Sequence, residues 1–374
     1  MGGFAMAAAW LPGALFAEDG NSTVLWTGPE PFPVVDDIEL IRQDLVRYQQ
    51  IHTAAKPITF AIGAALIHFN GIWHASWAAN PDGVAENLGA EFVTERISSD
   101  NALTWSEVQT LAPQLEGEPF HSHGTFLVHD KKLYFFAKLG PFTGPTKVFE
   151  LGAEGKSWKD LGLATIDGAT FWPMDEPQRM GNGQWIMGGL GGESGKFPAV
   201  AMASDDNILK WEVKELPIGE FKGFGETTVI TKGDEVLAIS RNGAKKTPMV
   251  CRSTDAGVTW QGPLAANMAM VPAKPYAGRL RDGRPFLICN VPAEKGAPKR
   301  SRLCLLLGAP KAMTFDRVWL LRPGDPPAAR FSGPQHNAQW AYPYAHEHNG
   351  ALYVAHHNAK EDIELIVVPL DALK

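Results

Sequence analysis

The stretch "STDAGVTW", residues 253–260, combines the residues of a tight turn with those that begin a strand. Ser253 and Asp255 are residue types that hydrogen-bond the nearby backbone in turns, and Gly257 can supply the positive φ that a tight turn needs. Thr259 and Trp260 favour extended structure, and the indole is large enough to anchor the turn on a sheet. Taken alone, the stretch predicts a hairpin turn held by Trp260.

Parts of this pattern recur three times at a regular spacing. The other copies are "SSDNALTW" at 98–105, "LGAEGKSW" at 151–158 and "SDDNILKW" at 204–211. The four closing tryptophans are therefore separated by 53, 53 and 49 residues. A nearly constant period of this size indicates a repeat architecture, in which each repeat is one supersecondary unit.

Short polar turns between apolar runs recur with a similar period. Asn-Gly and Asp-Gly pairs, the strongest short signals for hairpins, mark several of them. The six turns lie in "IHFNGIW", "VHDKKLY", "RMGNGQW", "ITKGDEV", "LRDGRPF" and "EHNGALY". Each unit then holds four antiparallel strands, which is typical of a β-propeller blade. We predict an all-β, six-bladed propeller with units that begin near Ala61, Gly124, Thr170, Gly225, Ala277 and Tyr344.

The sixth unit has only three predicted strands before the chain ends, so another segment has to complete it. The predicted donor is "STVLWTG" at 22–28, paired beside residues 363–370, which would join the two ends of the chain and protect the sheet edge. A seventh blade would need a further sheet within residues 30–58. Pro31, Pro33 and the acidic, helix-like "VVDDIELIRQDLVRY" disfavour that alternative.

Length and charge indicate one large domain, predicted over residues 18–374, and limit its partners. The formal net charge of −7 offers no basic stripe to neutralise phosphates, so we expect no nucleic-acid partner. After the N-terminus there is no apolar run of about 20 residues, so we expect no membrane span. We also expect a monomer or weak oligomer, with no metal and no other cofactor.

Residues 1–17 have features of a secretory signal peptide. The segment from Phe4 to Ala17 is apolar, and Ala17 places a small residue at a cleavage point, although a basic start is missing. We therefore expect a secreted or periplasmic protein. The cysteines leave the redox environment open, because Cys289 and Cys304 fall on neighbouring strands and could pair, while Cys251 fits a small buried position.

The Ser-x-Asp-x-Gly-x-Thr-Trp turn, repeated on four-stranded blades, resembles the Asp-box, or BNR repeat, of sialidases and their relatives. Residues 253–260 match that motif completely, and the other copies match it in part. Segments 171–190, 225–230, 274–280 and 342–354 resemble a narrower branch, which includes α-L-rhamnosidases and lyases that act on rhamnose linked to glucuronate. The resemblance implies a carbohydrate-active enzyme with an oligosaccharide or polysaccharide substrate.

The first blade departs from the sialidase pattern. Sialidases carry an Arg at the start of this blade and an acid/base Asp after its second strand. Here the first strand, "TFAIGAALIHF", has no Arg, and Asn80 stands at the expected position of the acid. Asp82, two residues further on, could substitute for it. A missing acid removes the proton donor to the leaving group, so this departure argues against hydrolysis of sialic acid by the usual route.

The repeat also sorts side chains by face. Inner strands start near the axis on one face, whereas the hairpin and Asp-box turns fall on the other. The strand starts should therefore line the entrance of the central channel, where ligands of propellers would bind. We predict one pocket there, with catalytic residues His121, His123, Glu226, Tyr276, Tyr344 and His346, and substrate-binding residues Trp172, Arg241 and Lys274.

Glu226 and Arg241 form the strongest predicted pair. A hairpin brings them to the same end of blade four, where the Arg fork suits a substrate carboxylate. Sialidases resemble this arrangement, with a Glu on one strand and a carboxylate-binding Arg on the next. An ion pair with a purely structural role is the alternative. Tyrosine can act as a nucleophile at an anomeric carbon, and histidine can act as a base.

Three functions fit these residues. The first is an exo-acting glycosidase on an acidic or rhamnose-capped glycan, and the second is a lyase that cleaves next to a uronate. The third is a non-catalytic glycan-binding propeller, and a protein-interaction scaffold is a further class. The ionisable groups predicted around Glu226 and Arg241 favour an enzyme, so the glycosidase is the preferred prediction.

Overall fold

The computed structural model describes residues 22–112, 116–219, 223–333 and 335–374. Within these ranges, the chain forms a six-bladed β-propeller of antiparallel sheets, which confirms the predicted fold class. The described residues contain no α-helix. Their helical turns are short 3₁₀ segments at Val35–Asp37, Ile166–Gly168, Asp205–Asn207 and Leu370–Leu373.

Each blade runs from an inner strand beside the axis to an outer strand. In that order, blade 1 consists of Ile58–Phe69, Ile72–Pro81, Phe92–Ser98 and Gln109–Ala112, and blade 2 consists of His121–His129, Lys132–Leu139, Thr146–Leu151 and Trp158–Leu163. Blade 3 has a divided inner strand, Phe171–Pro173 with Gln178–Arg179, followed by Trp185–Gly191, Phe197–Ala203 and Glu212–Glu215. Blade 4 consists of Thr227–Lys232, Glu235–Ser240, Met249–Ser253 and Gln261–Ala266, and blade 5 consists of Tyr276–Arg279, Pro285–Asn290, Leu303–Leu307 and Arg317–Leu320. Blade 6 consists of Trp340–His348, Ala351–Asn358, Asp362–Pro369 and Arg47–His52.

Blade 6 is closed by an N-terminal strand, but not by the one predicted. Arg47–His52 pairs antiparallel with Asp362–Pro369. Ser22–Thr23 instead pairs in parallel with the outer strand of blade 4. Leu25 and Trp26, in the predicted donor, are buried in the apolar core between blades 4 and 5, and burial of that indole outweighs the strand pattern around it.

The core lies between neighbouring blades, where the apolar faces of adjacent sheets meet. One cluster joins blades 1, 2, 5 and 6 and includes Trp73, Trp77 and Phe135. Smaller clusters join blades 2 and 3, blades 3 and 4, and blades 4 and 5. This packing holds the inner strands side by side around the channel, so the strand starts of different blades face a shared space.

The Asp-box turn of blade 4 is a closed hydrogen-bond unit. Ser253 Oγ donates to Asp255 at 2.8 Å and accepts from the Gly257 N–H at 2.8 Å. Thr259 donates to Asp255 from both its N–H and its hydroxyl, at 2.9 and 2.6 Å. Residues 98–104 repeat these contacts in blade 1. In blade 4, this turn lies at the opposite end of the sheet from Arg241, as the strand register shows.

Cys289 and Cys304 face each other on adjacent strands of blade 5, and both thiols are free, as is that of buried Cys251.

The predicted signal peptide, residues 1–17, lies outside the described residues. Of the helical segments in the described ranges, none is long and apolar enough to cross a membrane.

Candidate active site

A cavity of about 550 Å³ opens at the end of the channel where the inner strands begin. Its volume lies within the usual range of small-ligand sites. Inner-strand starts of blades 2, 3, 4 and 6 contribute His123, Trp172, Glu226 and Tyr342. The other lining residues are Glu86, Phe142, Met174, Leu190, Phe224, Arg241, Lys299, Arg300, Gln335, Asn337, Ala338, Gln339 and Lys360.

Tyr342 occupies an irregular position in the inner strand of blade 6. The pairing register of this strand shifts between Ala341 and Tyr344, and Tyr342 has a φ of 57°. A positive φ is unfavourable for a bulky side chain, and such strain is concentrated at functional sites. The ring stacks on His357, with centroids 5.3 Å apart. The bulge therefore gives this tyrosine a backbone geometry that regular pairing would not allow.

The hydroxyl of Tyr342 donates a hydrogen bond of 2.8 Å to Oε1 of Glu226. Oε2 of Glu226 is also buried and has no hydrogen-bond partner among the described residues. Burial raises the pKa of Tyr342 well above its usual value, and the Glu226 and Glu86 carboxylates raise it further. The tyrosine is therefore a protonated phenol beside a carboxylate that can accept its proton.

Glu226 and Arg241 flank the first hairpin of blade 4, as the sequence predicts. Thr227 pairs with Ser240, and the Arg241 N–H donates to the Glu226 carbonyl at 2.9 Å. The side chains meet as well, with Arg241 Nη1 at 2.6 Å from Glu226 Oε1. The Arg241 side chain is 14% exposed, and Arg241 lines the cavity, so part of its guanidinium fork is available to a ligand.

The cavity is positively charged although the chain carries a net charge of −7. Four cationic side chains line it, against two carboxylates, Glu86 and Glu226. Arg300 donates to Gln339 Oε1 at 3.2 Å and to the Pro272 carbonyl at 2.9 Å. The cations are Arg241, Lys299, Arg300 and Lys360. Arginine and lysine in a partly enclosed site favour an anionic ligand.

Glu86 is the carboxylate that the first blade contributes to the cavity. Asn80, at the expected acid position, is buried and donates to the Ala85 carbonyl and to Glu91. Asp82 does not line the cavity; it binds Lys56 at 2.8 Å instead. Glu86 follows in the same loop, and its side chain is 14% exposed. It accepts a hydrogen bond of 3.0 Å from Lys360 Nζ, which also contacts Gln335.

His123 and Trp172 line the cavity together. Their rings are 4.7 Å apart, and the Trp172 indole donates to the His123 carbonyl at 2.9 Å. His123 Nε2 is buried and has no hydrogen-bond partner among the described residues. Burial lowers the pKa of this imidazole well below its usual value, so it is neutral. His121 does not reach the cavity: the register shifts between Ser122 and Gly124, and its ring packs against Phe149.

Three other predicted residues are buried in the channel below the cavity. Lys274 donates to the Pro343 carbonyl at 2.9 Å, and burial lowers its pKa to about 8. The rings of Tyr276 and Tyr344 are 4.6 Å apart, and the Tyr344 hydroxyl is 2.8 Å from that of Thr125. None of the three lines the cavity, although Tyr276 lines a second pocket at the opposite end.

His346 also lies at that opposite end, beside Glu176 at 3.3 Å. The prediction that it joins the other candidates is therefore wrong in position. The physical reason is the length of the strand. Each strand residue advances about 3.3 Å, so His346 lies about 13 Å further along the channel than Tyr342.

Sequence reasoning missed Tyr342, Glu86, Arg300 and Lys360. A tyrosine was expected at the start of the last inner strand, but "YPY" offers two, and the alternation that would choose Tyr344 is interrupted by the bulge. Within the described ranges, no group of three or more His, Cys, Asp or Glu side chains is arranged to hold a metal ion.

Comparison with known proteins agrees with this architecture. A sequence profile of the BNR repeat-like domain matches residues 73–354. No curated protein sequence matches the chain.

Solved structures with the same fold include a protein of unknown function from Dyadobacter fermentans (TM-score 0.67, 15% identity, 87% of this chain and 99% of that one). The intramolecular trans-sialidase from Ruminococcus gnavus is similar too (TM-score 0.67, 10% identity, 87% of this chain and 98% of that one). So is a Trypanosoma rangeli sialidase mutant displaying trans-sialidase activity (TM-score 0.64, 15% identity, 90% and 60%). The chain spans 66% and 35% of two further sialidase structures. At these identities, the likeness shows the fold alone.

Proposed function

The chain belongs to the BNR repeat-like domain family, and from this premise we propose that it is a glycoside hydrolase that removes an acidic sugar through a covalent bond to Tyr342. The observation that carries the proposal is the 2.8 Å contact between the Tyr342 hydroxyl and Glu226 Oε1. Sialidases use a tyrosine nucleophile, an exception to the usual pair of carboxylates. The sialidase structures with the same fold support the proposal by analogy.

A tyrosine nucleophile suits an acidic substrate for an electrostatic reason. A carboxylate that approached a sugar carbon near a second carboxylate would be repelled, whereas a neutral phenol is not. Its buried position keeps Tyr342 protonated until the proton moves to Glu226. Arg241 and Arg300 are placed to hold the substrate carboxylate through charge-assisted hydrogen bonds.

The reaction follows in two steps. In the first, the Tyr342 oxygen bonds to the anomeric carbon and its proton passes to Glu226. The glycosidic bond breaks, and the departing oxygen receives a proton from Glu86. In the second, Glu86 takes a proton from water as the water oxygen bonds to the anomeric carbon, and Tyr342 leaves and regains its proton from Glu226. Two displacements retain the anomeric configuration.

Lys360 positions Glu86 for this role. The contact of 3.0 Å holds the carboxyl group at the cavity wall.

A lyase is the second candidate, and His123 is the observation that favours it. Its neutral imidazole has a buried, unpartnered Nε2 in the cavity wall. In β-elimination, such a base would take the proton next to a uronate carboxylate held by Arg241, and Tyr342 would protonate the leaving oxygen.

The chemistry can be tested with purified protein and glycans capped by galacturonate, glucuronate, sialate, or rhamnose linked to glucuronate. The rhamnose-linked glycan tests the narrower family branch, which remains a prediction. We expect NMR to show release of a saturated sugar that retains its anomeric configuration. Trapping with a fluorinated analogue of the accepted sugar should give a labelled peptide that contains Tyr342. An unsaturated uronate, detected by its ultraviolet absorbance, would instead identify a lyase.

Action outside the cytoplasm belongs to the same proposal. It is supported by the apolar pattern of residues 4–17. N-terminal sequencing of protein from the culture medium or periplasm tests it, with a mature chain that begins at Glu18 as the expected result.

A further inference from the structure

A further cavity, of about 590 Å³, adjoins the candidate active site and is distinct from the pocket at the opposite end of the channel. The two cavities share Lys299 and Arg300 in their walls. The further cavity is otherwise formed by residues 243–246 at the end of the first hairpin of blade 4, by residues 271–272, and by the loop 292–300 of blade 5. It therefore continues the active-site cavity along the same face of the propeller.

This further cavity, which we call the basic groove, is strongly cationic. Its only carboxylate among the described residues is Glu294, whose charge is compensated because Arg302 binds both of its oxygens. Its four lysines form no ion pair with any described residue. The cations of the groove are Lys245, Lys246, Lys295, Lys299 and Arg300. The chain as a whole has a net charge of −7, so the cations are concentrated here against the average.

Hydrogen bonds between the segments hold the walls of the groove in place. The Met270 N–H donates to the Lys246 carbonyl at 2.8 Å, and Asn242 Oδ1 accepts from the Ala244 N–H at 3.0 Å. Arg300 donates to the Pro272 carbonyl at 2.9 Å and so joins the two segments that flank the groove. The lysine side chains are long and exposed, and these contacts tie the chain at Lys246 and Arg300 to the segment 270–272.

We infer that the basic groove binds the continuing chain of a polyanionic glycan, a polymer with carboxylate or sulfate groups on successive sugars, while its terminal sugar lies beside Tyr342. This inference rests on the proposed function and narrows its substrate from any acid-capped glycan to an acidic polymer. Lysines suit this ligand because they contact anionic groups at variable positions as flexible point charges.

The lining of the groove favours a glycan over a single-stranded nucleic acid. Nucleic-acid grooves combine cations with aromatic rings on which bases stack. The described residues that line the basic groove include no aromatic side chain and are, apart from the charged ones, Gly, Ala, Val and Pro.

The experiment compares oligosaccharide binding by calorimetry in wild-type protein and the double variant Lys245→Glu/Lys246→Glu. The probes are hexasaccharides of galacturonate, hyaluronan and chondroitin sulfate, the matching uronate monosaccharides, and an oligonucleotide of equal charge. A matched control is Lys156→Glu/Lys159→Glu, which reverses two exposed charges in blade 2, outside the basic groove. Thermal melting verifies that each variant is folded.

We expect at least one hexasaccharide to bind wild-type protein about tenfold more tightly than its monosaccharide, and the groove variant to lose this advantage. The control variant should keep it, and monosaccharide binding should be unchanged in both. Equal binding by wild type and groove variant, no hexasaccharide preference, or tighter binding of the oligonucleotide would overturn the inference.

Turnover separates this inference from the proposed function. If Tyr342→Phe abolishes cleavage of short substrates while the groove variant has no effect on polymer binding, the groove assignment alone fails. If the groove variant loses polymer binding while Tyr342→Phe cleaves normally, the proposed nucleophile fails and the binding groove stands.

Discussion

The phenolic oxygen of Tyr342 lies 2.8 Å from Oε1 of Glu226, although the two residues are 116 positions apart in the chain. The contact joins the inner strand of blade 6 to the start of blade 4. The same Glu226 oxygen accepts a hydrogen bond from Arg241. One carboxylate oxygen therefore links the proposed nucleophile to the proposed substrate-binding cation.

Replacing Tyr342 with Phe removes the hydroxyl and keeps the ring on His357. Because no other described tyrosine lines the cavity, we expect kcat to fall by at least about a thousandfold, as for loss of other nucleophiles. Tyr344→Phe is the matched control. It should cost about 1 kcal/mol of stability through its lost contact with Thr125 and leave kcat close to wild type. Equal activity in the two variants would exclude Tyr342 as the nucleophile.

Arg241→Ala should lower kcat/KM at least about tenfold on an acidic substrate, because loss of a desolvated charged contact costs about 2 to 5 kcal/mol. Arg241 also binds Glu226, so some of the loss should appear with every substrate. The ratio of the loss in kcat/KM on the acidic glycan to the loss on its carboxyl-reduced analogue measures the contribution of the substrate carboxylate. A ratio of one in a folded variant would mean that Arg241 only orients Glu226.

Glu86→Gln tests the acid/base assignment. We expect a loss of about 10²- to 10⁴-fold on natural glycosides, whose leaving groups need a proton. The loss should be much smaller on an activated aryl glycoside, and added azide should restore turnover by replacing the activated water. Asp82→Asn is the control, since Asp82 binds Lys56 outside the cavity. If both variants behave alike, Glu86 is not the proton donor.

Glu91 should make stability depend on pH in an unusual direction. Burial, and then the Glu86 carboxylate, raises the pKa of Glu91 to about 8. Between the unfolded value near 4.5 and about 8, the folded chain holds a proton that the unfolded chain has lost, so this group's contribution is complete below that window and decreases as the pH rises through it. Glu91→Gln should remove a slope of at most about 1.4 kcal/mol per pH unit. If the free energy of unfolding, measured by denaturation, changes with pH equally in wild type and variant across this window, the raised pKa is contradicted.

The Asp-box of blade 4 should be structural. Ser253→Ala removes a buried hydroxyl that donates to Asp255 and accepts from the Gly257 N–H. We expect a loss of about 1 kcal/mol in the free energy of unfolding. The turn lies at the opposite end of its sheet from Arg241, so kcat/KM of the folded variant should equal that of wild type. A large drop in turnover at full folding would place the Asp-box in the functional machinery.

The repeat period and the hairpin turns predicted the fold because both are local signals. Ser253, Asp255 and Thr259 form their hydrogen bonds within one turn, so a single copy of the motif carries its own structure. Glu226 and Arg241 were predicted to meet for the same reason, since one hairpin sets their distance. Arg47–His52 was missed because its pattern resembled a helix, and strand formation there depends on a partner more than 300 positions away.

The sequence by itself determined the six-bladed propeller, the cavity-bearing face and the Glu226–Arg241 pair, because turns and hairpins depend on residues close in the chain. Only the tertiary structure decided which tyrosine meets Glu226, which carboxylate of the first blade reaches the cavity, and which strand closes blade 6. Those choices depend on a bulge at Tyr342, on the path of the loop that follows Asn80 and carries Asp82 and Glu86, and on competition for the apolar core. Each is settled by packing between blades distant in sequence, for which a single sequence contains no local signal.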